Sequence, residues 1–332
     1  MNNLKLTLAM GDYDHTRDLA LGRVRPAGID LTVLNFDVEE IFFRFYDRLE
    51  WEVSEMSMGM YTSAVSRGDR RMIAIPVFPS RVFRHSAIYV RSDGSVRRAE
   101  DLAGKRVGLP QWSQTAAIYV KGFLSATVGI PLSKIKWVQA GLNDAGRDEH
   151  AELKLPPGID LNPVRDRTLS QMLLAGDIDA ITSARPPRPF LEGDARIHRL
   201  IPDYRSAEES YFRQTGIFPI MHTIVMRRDA YEANRWIARN LMLAFEEARD
   251  RSVARMLDLT ASAIPVPWAV DHAERAGRSL GFGAGRYWPY GIEANRTTLD
   301  AFLRYAFEQG VCHRMLRPEE IFAEEALAQI KV

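Results

Sequence analysis

The sequence has a single cysteine, Cys312, among its 332 residues. No intrachain disulfide can form, so nothing in the chain requires an oxidising compartment. A cysteine-rich zinc site is excluded as well, because such sites need several thiolates at short spacing. Cys312 ends an amphipathic helix pattern, which predicts a buried structural thiol rather than a nucleophile.

Long apolar runs and an excess of one charge are also missing. No segment approaches the length of a transmembrane helix, and the first residues alternate into charge instead of forming a secretory signal. We therefore expect a cytoplasmic protein that does not enter a membrane. The 44 basic and 43 acidic residues give a net charge of +1. Nucleic-acid binding needs a basic excess on one face, so the composition argues against that partner.

Motifs of common nucleotide-binding and hydrolytic sites are absent too. The sequence contains no P-loop, no G-x-S-x-G and no H-E-x-x-H. The glycine-rich stretch of residues 281–291 lacks the strand-to-helix context of a dinucleotide loop. Its aromatic residues favour a lid or a tightly packed corner instead. We therefore expect no organic cofactor.

The chain does contain short apolar strands that alternate with helix patterns. Strand patterns cover residues 4–10, 29–36 and 71–80, and a helix pattern starts after Asp37, which is a suitable N-cap. Strands that alternate with helices are typical of a parallel sheet covered on both faces. A chain of this length exceeds the size at which one core is usual, so two domains are expected.

The strand and helix pattern restarts near residue 100 with the block "EDLAGKRVGLP". This block resembles the opening of the second domain in periplasmic-type solute-binding proteins. The resemblance implies an α/β, two-lobed type II periplasmic-binding-protein-like fold with a hinge and a ligand cleft between the lobes. Because a strand pattern returns near residue 221, we expect a discontinuous first lobe of residues 1–94 and 220–332, and a second lobe of residues 95–219.

A second resemblance covers nearly the whole chain. The segments "GDYDHTR", "FRHSAIYVRSD", "PQWSQTAAIYVKGFL", "SARPPRPF", "TGIFPIMHTIVMR" and "YWPYGIEANR" are similar to the 4,5-dihydroxyphthalate decarboxylase family. The resemblance implies a cytoplasmic carboxy-lyase of phthalate catabolism that converts 4,5-dihydroxyphthalate to protocatechuate and CO₂. Its partner would be a small aromatic dicarboxylate, and a homo-oligomer is compatible with the sequence. Two alternatives stay open: a cytoplasmic aromatic-acid solute-binding protein, and a menaquinone- or thiamin-pathway type of enzyme with the same fold.

Histidines at strand ends are the candidates for proton transfer. His15 follows the first strand together with Asp12, and His85 and His222 lie at predicted hinge or strand-end positions. Ligands of open α/β sheets bind beyond the strand ends, and histidine exchanges protons near neutral pH. The same side chains are a ligand set for a divalent metal, so a metal stays an open alternative. The other histidines are expected to be structural or solvated: His150, His198, His272 and His313.

Arginines and one helix start are the candidates for substrate binding. A guanidinium binds a carboxylate through two parallel hydrogen bonds, and a phthalate carries two carboxylates. The candidate clamps are Arg81, Arg84, Arg185 and Arg188. Residues 111–117 enter a helix with Ser113 as the predicted N-cap, and its free N–H groups would attract an anion. The further candidates are Trp112, Ser113, Gln114, Thr115 and Tyr287.

Overall fold

The computed structural model describes residues 3–281 and 287–327, which form two β-sheets covered by helices. The strands in chain order are β1 (Leu4–Met10), β2 (Ile29–Asn35), β3 (Val53–Ser57), β4 (Met72–Ile75), β5 (Ile88–Arg91), β6 (Arg106–Leu109), β7 (Lys136–Gln139), β8 (Asp160–Pro163), β9 (Ala180–Thr182), β10 (Ile197–Arg199) and β11 (His222–Arg227). The α-helices are α1 (Arg17–Ala20), α2 (Val38–Arg48), α3 (Met58–Ser66), α4 (Thr115–Gly122), α5 (Leu169–Ala175), α6 (Arg188–Leu191), α7 (Tyr204–Thr215), α8 (Arg228–Ala233), α9 (Trp236–Met256), α10 (Ala269–Ser279), α11 (Arg296–Glu308) and α12 (Pro318–Ile321). The predicted α/β class is confirmed.

The first sheet has the strand order β2-β1-β3-β11-β4. β1 pairs in parallel with β2 and β3, as the alternation of strands and helices predicts. β11 enters between β3 and β4 and runs antiparallel to both. The parallel arrangement predicted for the strands of residues 4–80 is confirmed, because β3 and β4 both run antiparallel to β11 and are therefore parallel to each other.

The second sheet has the strand order β10-β5-β9-β6-β7-β8. β6, β7, β8 and β9 are mutually parallel, whereas β5 is antiparallel to β9 and β10. The division into lobes stays a prediction, but one boundary needs adjustment. Residues 88–94 were assigned to the first lobe, yet β5 hydrogen-bonds within the second sheet. We therefore end the N-terminal part of the first lobe before β5.

The chain crosses between the two sheets twice, through residues 76–87 and residues 200–221. The two crossings pair with each other in an antiparallel bridge between Arg81 and Ile220. The Met221 N–H donates to the Ser80 carbonyl at 2.8 Å beside this bridge. Two crossing segments that lie side by side are the arrangement through which hinged lobes move.

Apolar packing connects the two sheets as well as filling each one. The main buried cluster contains side chains of β1, β3 and β11 together with side chains of α4 and α11. Gly122 of α4 lies against the Tyr305 ring of α11, where a β-carbon would come within 2.4 Å of a ring carbon. Cys312 is buried as predicted, and burial raises the pKa of its thiol to about 11.

Local sequence signals explain where the site-forming elements begin. The Asp37 side chain accepts a hydrogen bond from the Glu39 N–H at 3.0 Å and so caps α2 as predicted. All five residues of β3 are buried, including the charged Glu55. In the described part of the chain, no helix combines the length and apolarity that a membrane crossing needs.

Candidate active site

A cleft of about 210 Å³ lies between the two sheets. One wall comes from α2 and from the ends of β3 and β11, and the other comes from loops of the second sheet. The predicted site residues that line it are Arg84, Ser113, Gln114, Thr115, Arg185 and His222. The structure therefore brings together binding candidates from both lobes with one histidine.

The imidazole of His222 is held by a buried carboxylate. His222 Nδ1 lies 2.6 Å from Oε1 of Glu55, whose exposed fraction is 0%. Glu55 Oε1 also accepts a hydrogen bond from the Tyr13 hydroxyl at 2.6 Å, and Oε2 accepts one from the Gly11 N–H at 2.8 Å. The Phe42 ring meets the imidazole edge-on at 4.8 Å. Because Nδ1 is occupied, Nε2 is the ring nitrogen available to a bound molecule.

Arg84 is the cleft arginine whose charge is least compensated. Its Nε lies 3.2 Å from the Met221 sulfur and its Nη1 donates to the Ala184 carbonyl at 3.3 Å. Within residues 3–281 and 287–327, no carboxylate forms an ion pair with it. Burial lowers the pKa of the guanidinium to about 10, which still leaves it charged at neutral pH. A half-buried cation of this kind attracts an anion from the cleft.

The start of α4 closes another part of the cleft. The prediction of Ser113 as N-cap is wrong, because α4 begins at Thr115 and Gln114 occupies the cap position. Ser113 instead donates its hydroxyl to Glu149. Thr115 Oγ1 accepts from the Gly59 N–H and lies 2.9 Å from the Ser57 hydroxyl, so it links α4 to the first sheet. The first N–H groups of α4 remain suitable donors for an anion.

Two arginines reach across the cleft to the first turn of α2. Arg147 Nη1 and Nη2 each lie 3.2 Å from a carboxylate oxygen of Glu39, and Nη2 also donates to Gln111 at 2.8 Å. Arg185 Nη2 lies 2.9 and 3.1 Å from the two oxygens of Asp37. Both ion pairs tie α2 to loops of the second sheet.

Arg147 and His150 are cleft residues that sequence reasoning missed. Both belong to the stretch after β7, and the sequence predicts only a structural or solvated role for His150. The structure places His150 in the lining of the cleft with its ring 4.4 Å from Phe43. The position of this loop beyond the carboxyl end of a parallel strand is the signal that could have found it.

The comparisons with known proteins identify the family. The chain is 35% identical to a 4,5-dihydroxyphthalate decarboxylase of Comamonas testosteroni over 333 aligned positions, which cover 100% of both chains. The chain belongs to the 4,5-dihydroxyphthalate decarboxylase family. It is also 38% identical to a Pseudomonas putida protein of the same name over 214 residues, 64% of this chain and 83% of that protein. A scan against protein-family models gave no match.

Solved structures similar to this decarboxylase-family protein show its fold. The aliphatic sulphonate binding protein SsuA of Escherichia coli matches with a TM-score of 0.55 and 11% identity, over 98% of this chain and 99% of that chain. The sulfonate-binding SsuA of Methylobacillus flagellatus matches with a TM-score of 0.56 and 13% identity, over 97% and 92%. The protein therefore has the predicted two-lobed type II periplasmic-binding-protein-like fold.

Arg81 and Trp112 lie outside the cleft and have structural partners. Arg81 is 5% exposed and donates to Asn295 Oδ1 at 2.7 Å and to the Phe218 carbonyl at 2.8 Å. Trp112 is 0% exposed and donates its indole N–H to the Gln309 carbonyl at 2.8 Å. We therefore withdraw both from the proposed substrate-binding set, because neither lines the cleft and both donate hydrogen bonds inside the protein.

The other predicted catalytic residues also lie outside the cleft lining. His15 packs near Trp288, and His85 packs near Phe123 and Tyr211. Burial lowers the pKa of each of these imidazoles to about 4. Asp12 is exposed in the loop after β1. We therefore retain only His222 from the predicted set of proton-transfer residues.

Two remaining predictions concern surface positions. Arg188 is 60% exposed and its Nη2 lies 3.8 Å from Asp144, outside the cleft lining. Tyr287 lies over Gly277 of α10, and residues 282–286 of the glycine-rich stretch lie outside the described residues. Across the described ranges, no group of three or more His, Cys, Asp or Glu side chains has the arrangement of a metal site. His15, His85 and Asp12 thus do not gather with His222 as a ligand set.

Proposed function

We propose that this protein is a carboxy-lyase that removes one carboxylate from 4,5-dihydroxyphthalate and releases 3,4-dihydroxybenzoate and CO₂. The observation that carries the proposal is the full-length 35% identity with the Comamonas testosteroni 4,5-dihydroxyphthalate decarboxylase. The SsuA neighbours support a small-molecule ligand within the same fold, because both are named as sulfonate-binding proteins. A cytoplasmic location, a homo-oligomeric state and independence from organic cofactors remain predictions.

The cleft offers separate partners for the parts of this substrate. Arg84 binds the carboxylate that the product keeps, since its guanidinium forms no ion pair with a carboxylate within the described ranges. The N–H groups at the start of α4 hydrogen-bond the other carboxylate. Phe42 and Phe43, which line the cleft from α2, provide an apolar surface for the aromatic ring.

The chemistry follows from the substitution pattern of the ring. Each carboxylate of 4,5-dihydroxyphthalate lies para to a hydroxyl, so loss of the phenolic proton raises electron density at the ipso carbon. A ring electron pair then forms a C–H bond at that carbon with a proton from the enzyme. The electron pair of the C–CO₂ bond returns to the ring as CO₂ leaves. One proton is consumed per CO₂ released, and the balance needs neither oxidant nor reductant.

His222 Nε2 supplies the proton to the ipso carbon. Its Nδ1–H stays bound to Glu55 before and after the transfer, so the ring does not have to rotate. A positioned general acid contributes about 10²–10⁴ in rate. His150 lies in the same cleft and is the second titratable imidazole there, which suits it to accept the phenolic proton.

The test is an assay of CO₂ release with two substrates. Purified protein is mixed with 4,5-dihydroxyphthalate or with phthalate, and CO₂ and the aromatic product are measured by mass spectrometry. We expect equal amounts of CO₂ and 3,4-dihydroxybenzoate from the first compound. Phthalate should bind without reacting, because it lacks the hydroxyl that activates the ring. Tight binding of 4,5-dihydroxyphthalate without CO₂ release would instead favour a solute-binding protein.

A further inference from the structure

The carboxylate of Glu55 hydrogen-bonds two side chains that are far apart in the sequence, Tyr13 and His222. His222 Nδ1 and the Tyr13 hydroxyl both lie 2.6 Å from the same oxygen, Oε1. We infer that Glu55 is a positioning residue that holds His222 as a proton donor, and that Tyr13 sets how strongly Glu55 does so. This inference rests on the proposed decarboxylation for its activity readout.

The carboxylate of Glu55 is buried in β3, and its burial is costly in free energy. A carboxylate that is removed from water costs free energy unless hydrogen bonds or an opposite charge compensate it. The described ranges contain no Lys or Arg that pairs with Glu55, and the salt-bridge partner is the imidazole of His222. The Gly11 N–H completes the set of donors at 2.8 Å. Among the hydrogen-bond partners of Glu55, His222 is the one that can carry a positive charge, and it lines the cleft.

The hydrogen bond to Nδ1 determines what the imidazole can do. It fixes Nδ1 as a protonated nitrogen, so that Nε2 is the atom that gains and loses a proton at the cleft. The Glu55 carboxylate also stabilises the imidazolium form, from which Nε2–H can be donated to carbon. When that proton has left, the neutral ring keeps Nδ1–H on Glu55. Glu55 itself does not line the cleft and acts through His222.

Tyr13 weakens the action of Glu55 on His222. Its hydroxyl donates to the same oxygen and draws negative charge away from the bond to Nδ1. Burial, followed by the charge of Glu55 and their hydrogen bond, raises the pKa of the Tyr13 phenol above its ordinary value, so it remains a donor. Loss of the hydroxyl would concentrate the carboxylate charge on the imidazolium. Other charged or titratable groups that line the cleft around His222 are Glu39, Arg84, Arg147, His150 and Arg185.

Two nearly isosteric variants, Glu55→Gln and Tyr13→Phe, test the hydrogen-bond network of Tyr13, Glu55 and His222. They should shift the pH profile of kcat in opposite directions. In Glu55→Gln the imidazolium loses its counter-charge, so kcat should fall roughly 10²-fold with little change in KM. The basic limb of the kcat pH profile should also move to lower pH. In Tyr13→Phe the same limb should move to higher pH. A merely structural defect would not move the limb in opposite directions.

Two matched control variants remove a comparable hydrogen bond or a comparable buried charge outside the cleft. Tyr231 donates its hydroxyl to Glu325, so Tyr231→Phe removes a comparable bond. Asp18 is a buried carboxylate that pairs with Arg255 at 2.7 Å, so Asp18→Asn removes a buried charge without a histidine. Both controls should leave the pH profile in place, although Asp18→Asn should lower Tm. Equal pH profiles for wild type, Glu55→Gln and Tyr13→Phe would overturn the inference.

A spectroscopic readout separates this inference from the proposed activity. Proton–nitrogen NMR of the histidine rings in the whole protein should show His222 protonated at Nδ1 in the neutral form. In Glu55→Gln that preference should weaken or reverse to Nε2. If wild type releases no CO₂ but shows this tautomer pattern, the proposed activity fails and the network stands. A neutral His222 protonated at Nε2 in wild type would defeat the network whatever the activity. If Glu55→Gln does not fold, the pH profile of Tyr13→Phe and the NMR spectrum of wild type still test the role of Glu55.

Discussion

Arg147 and Glu39 meet across the cleft in a two-bond ion pair, with each guanidinium nitrogen 3.2 Å from a carboxylate oxygen. Glu39 lies in the first turn of α2, and Arg147 lies in the loop after β7 on the other side. The two side chains are 32% and 27% exposed, so solvent weakens their attraction. An anionic substrate that enters the cleft must compete with Glu39 for Arg147.

Removal of the Glu39 charge should therefore improve substrate binding. We expect Glu39→Gln to lower KM for 4,5-dihydroxyphthalate by roughly 1.4- to fivefold, which corresponds to an exposed ion pair of about 0.2–1 kcal/mol. The kcat should stay close to that of wild type. Salt screens exposed charges, so the difference in KM should shrink when the assay is repeated at high ionic strength.

The control for this variant is an exposed ion pair far from the cleft. Glu247 and Arg251 pair at 2.6 Å one helical turn apart on α9. Glu247→Gln should leave KM unchanged at both salt concentrations. A higher KM in Glu39→Gln would contradict the competition and would mean that the pair with Arg147 helps to keep the binding conformation.

Arg84 should carry most of the ground-state binding of the substrate. Arg84→Met keeps the length of the side chain and removes the charge that faces the cleft. A hydrogen bond to a charged group is worth about 1.5–3 kcal/mol, so KM should rise roughly tenfold or more. Steady-state kinetics and calorimetry with 4,5-dihydroxyphthalate would measure the change.

Arg188 provides the matched control for Arg84. It is 60% exposed and lies outside the cleft lining, so Arg188→Met should leave affinity unchanged. Since Arg84 has no ion pair within the described ranges, Arg84→Met should also cost little stability in a thermal melt. Unchanged affinity in a well-folded Arg84→Met would remove Arg84 from the substrate site.

Local patterns in the sequence predict much of the fold but not the partners of its side chains. The cap at Asp37 and the strand at Leu4–Met10 depend on neighbouring residues, and both are confirmed. Glu55 and His222 are 167 residues apart, and no local pattern relates them. Within β3, Glu55 is a charged residue next to Ser54, and the sequence gives no reason to expect it to be buried.

The sequence also does not predict which of two neighbouring arginine side chains faces the cleft. Arg81 and Arg84 belong to one crossing segment and look equivalent in the sequence. In the structure Arg81 turns inward to Asn295, whereas Arg84 reaches the cleft. The direction of each side chain depends on the bridge between Arg81 and Ile220, which forms only when the two crossings meet. The sequence therefore predicts that this segment contributes a substrate-binding arginine, but it does not show which of the two arginines reaches the cleft.

Replacement of His222 should affect turnover far more than binding. We expect His222→Gln to lower kcat by about 10²–10⁴, because a general acid acts in the transition state. KM should change little. In wild type, kcat should also be lower in D₂O than in H₂O, since proton transfer to carbon is part of the reaction. His198→Gln is the control, because His198 lies on β10 beside Ser92 and outside the cleft. A His222→Gln variant with wild-type kcat would assign the proton to another group.

The buried imidazole of His85 should make the protein less stable in acid. Burial lowers its pKa to about 4 from the ordinary 6.5, so the folded state resists the proton that the unfolded chain accepts. Stability is therefore complete above the unfolded pKa and is lost as pH falls from 6.5 towards 4. The nearby Glu208 acts in the opposite direction, because burial raises its pKa from 4.5 to about 7 and its protonation therefore stabilises the folded state as pH falls through this range.

An apolar residue at position 85 should remove this acid sensitivity. Relative to wild type, His85→Leu should gain roughly 2 kcal/mol more stability at pH 5 than at pH 7.5. This is the free energy of the 2.5-unit pKa difference between 6.5 and about 4, less the part that is lost only below pH 5. Urea unfolding of both proteins at the two pH values measures the difference. His313→Leu, at a partly exposed position, should not reproduce it. If His85→Leu changed the free energy of unfolding by the same amount at pH 5 and at pH 7.5, then His85 would not resist protonation in the folded protein.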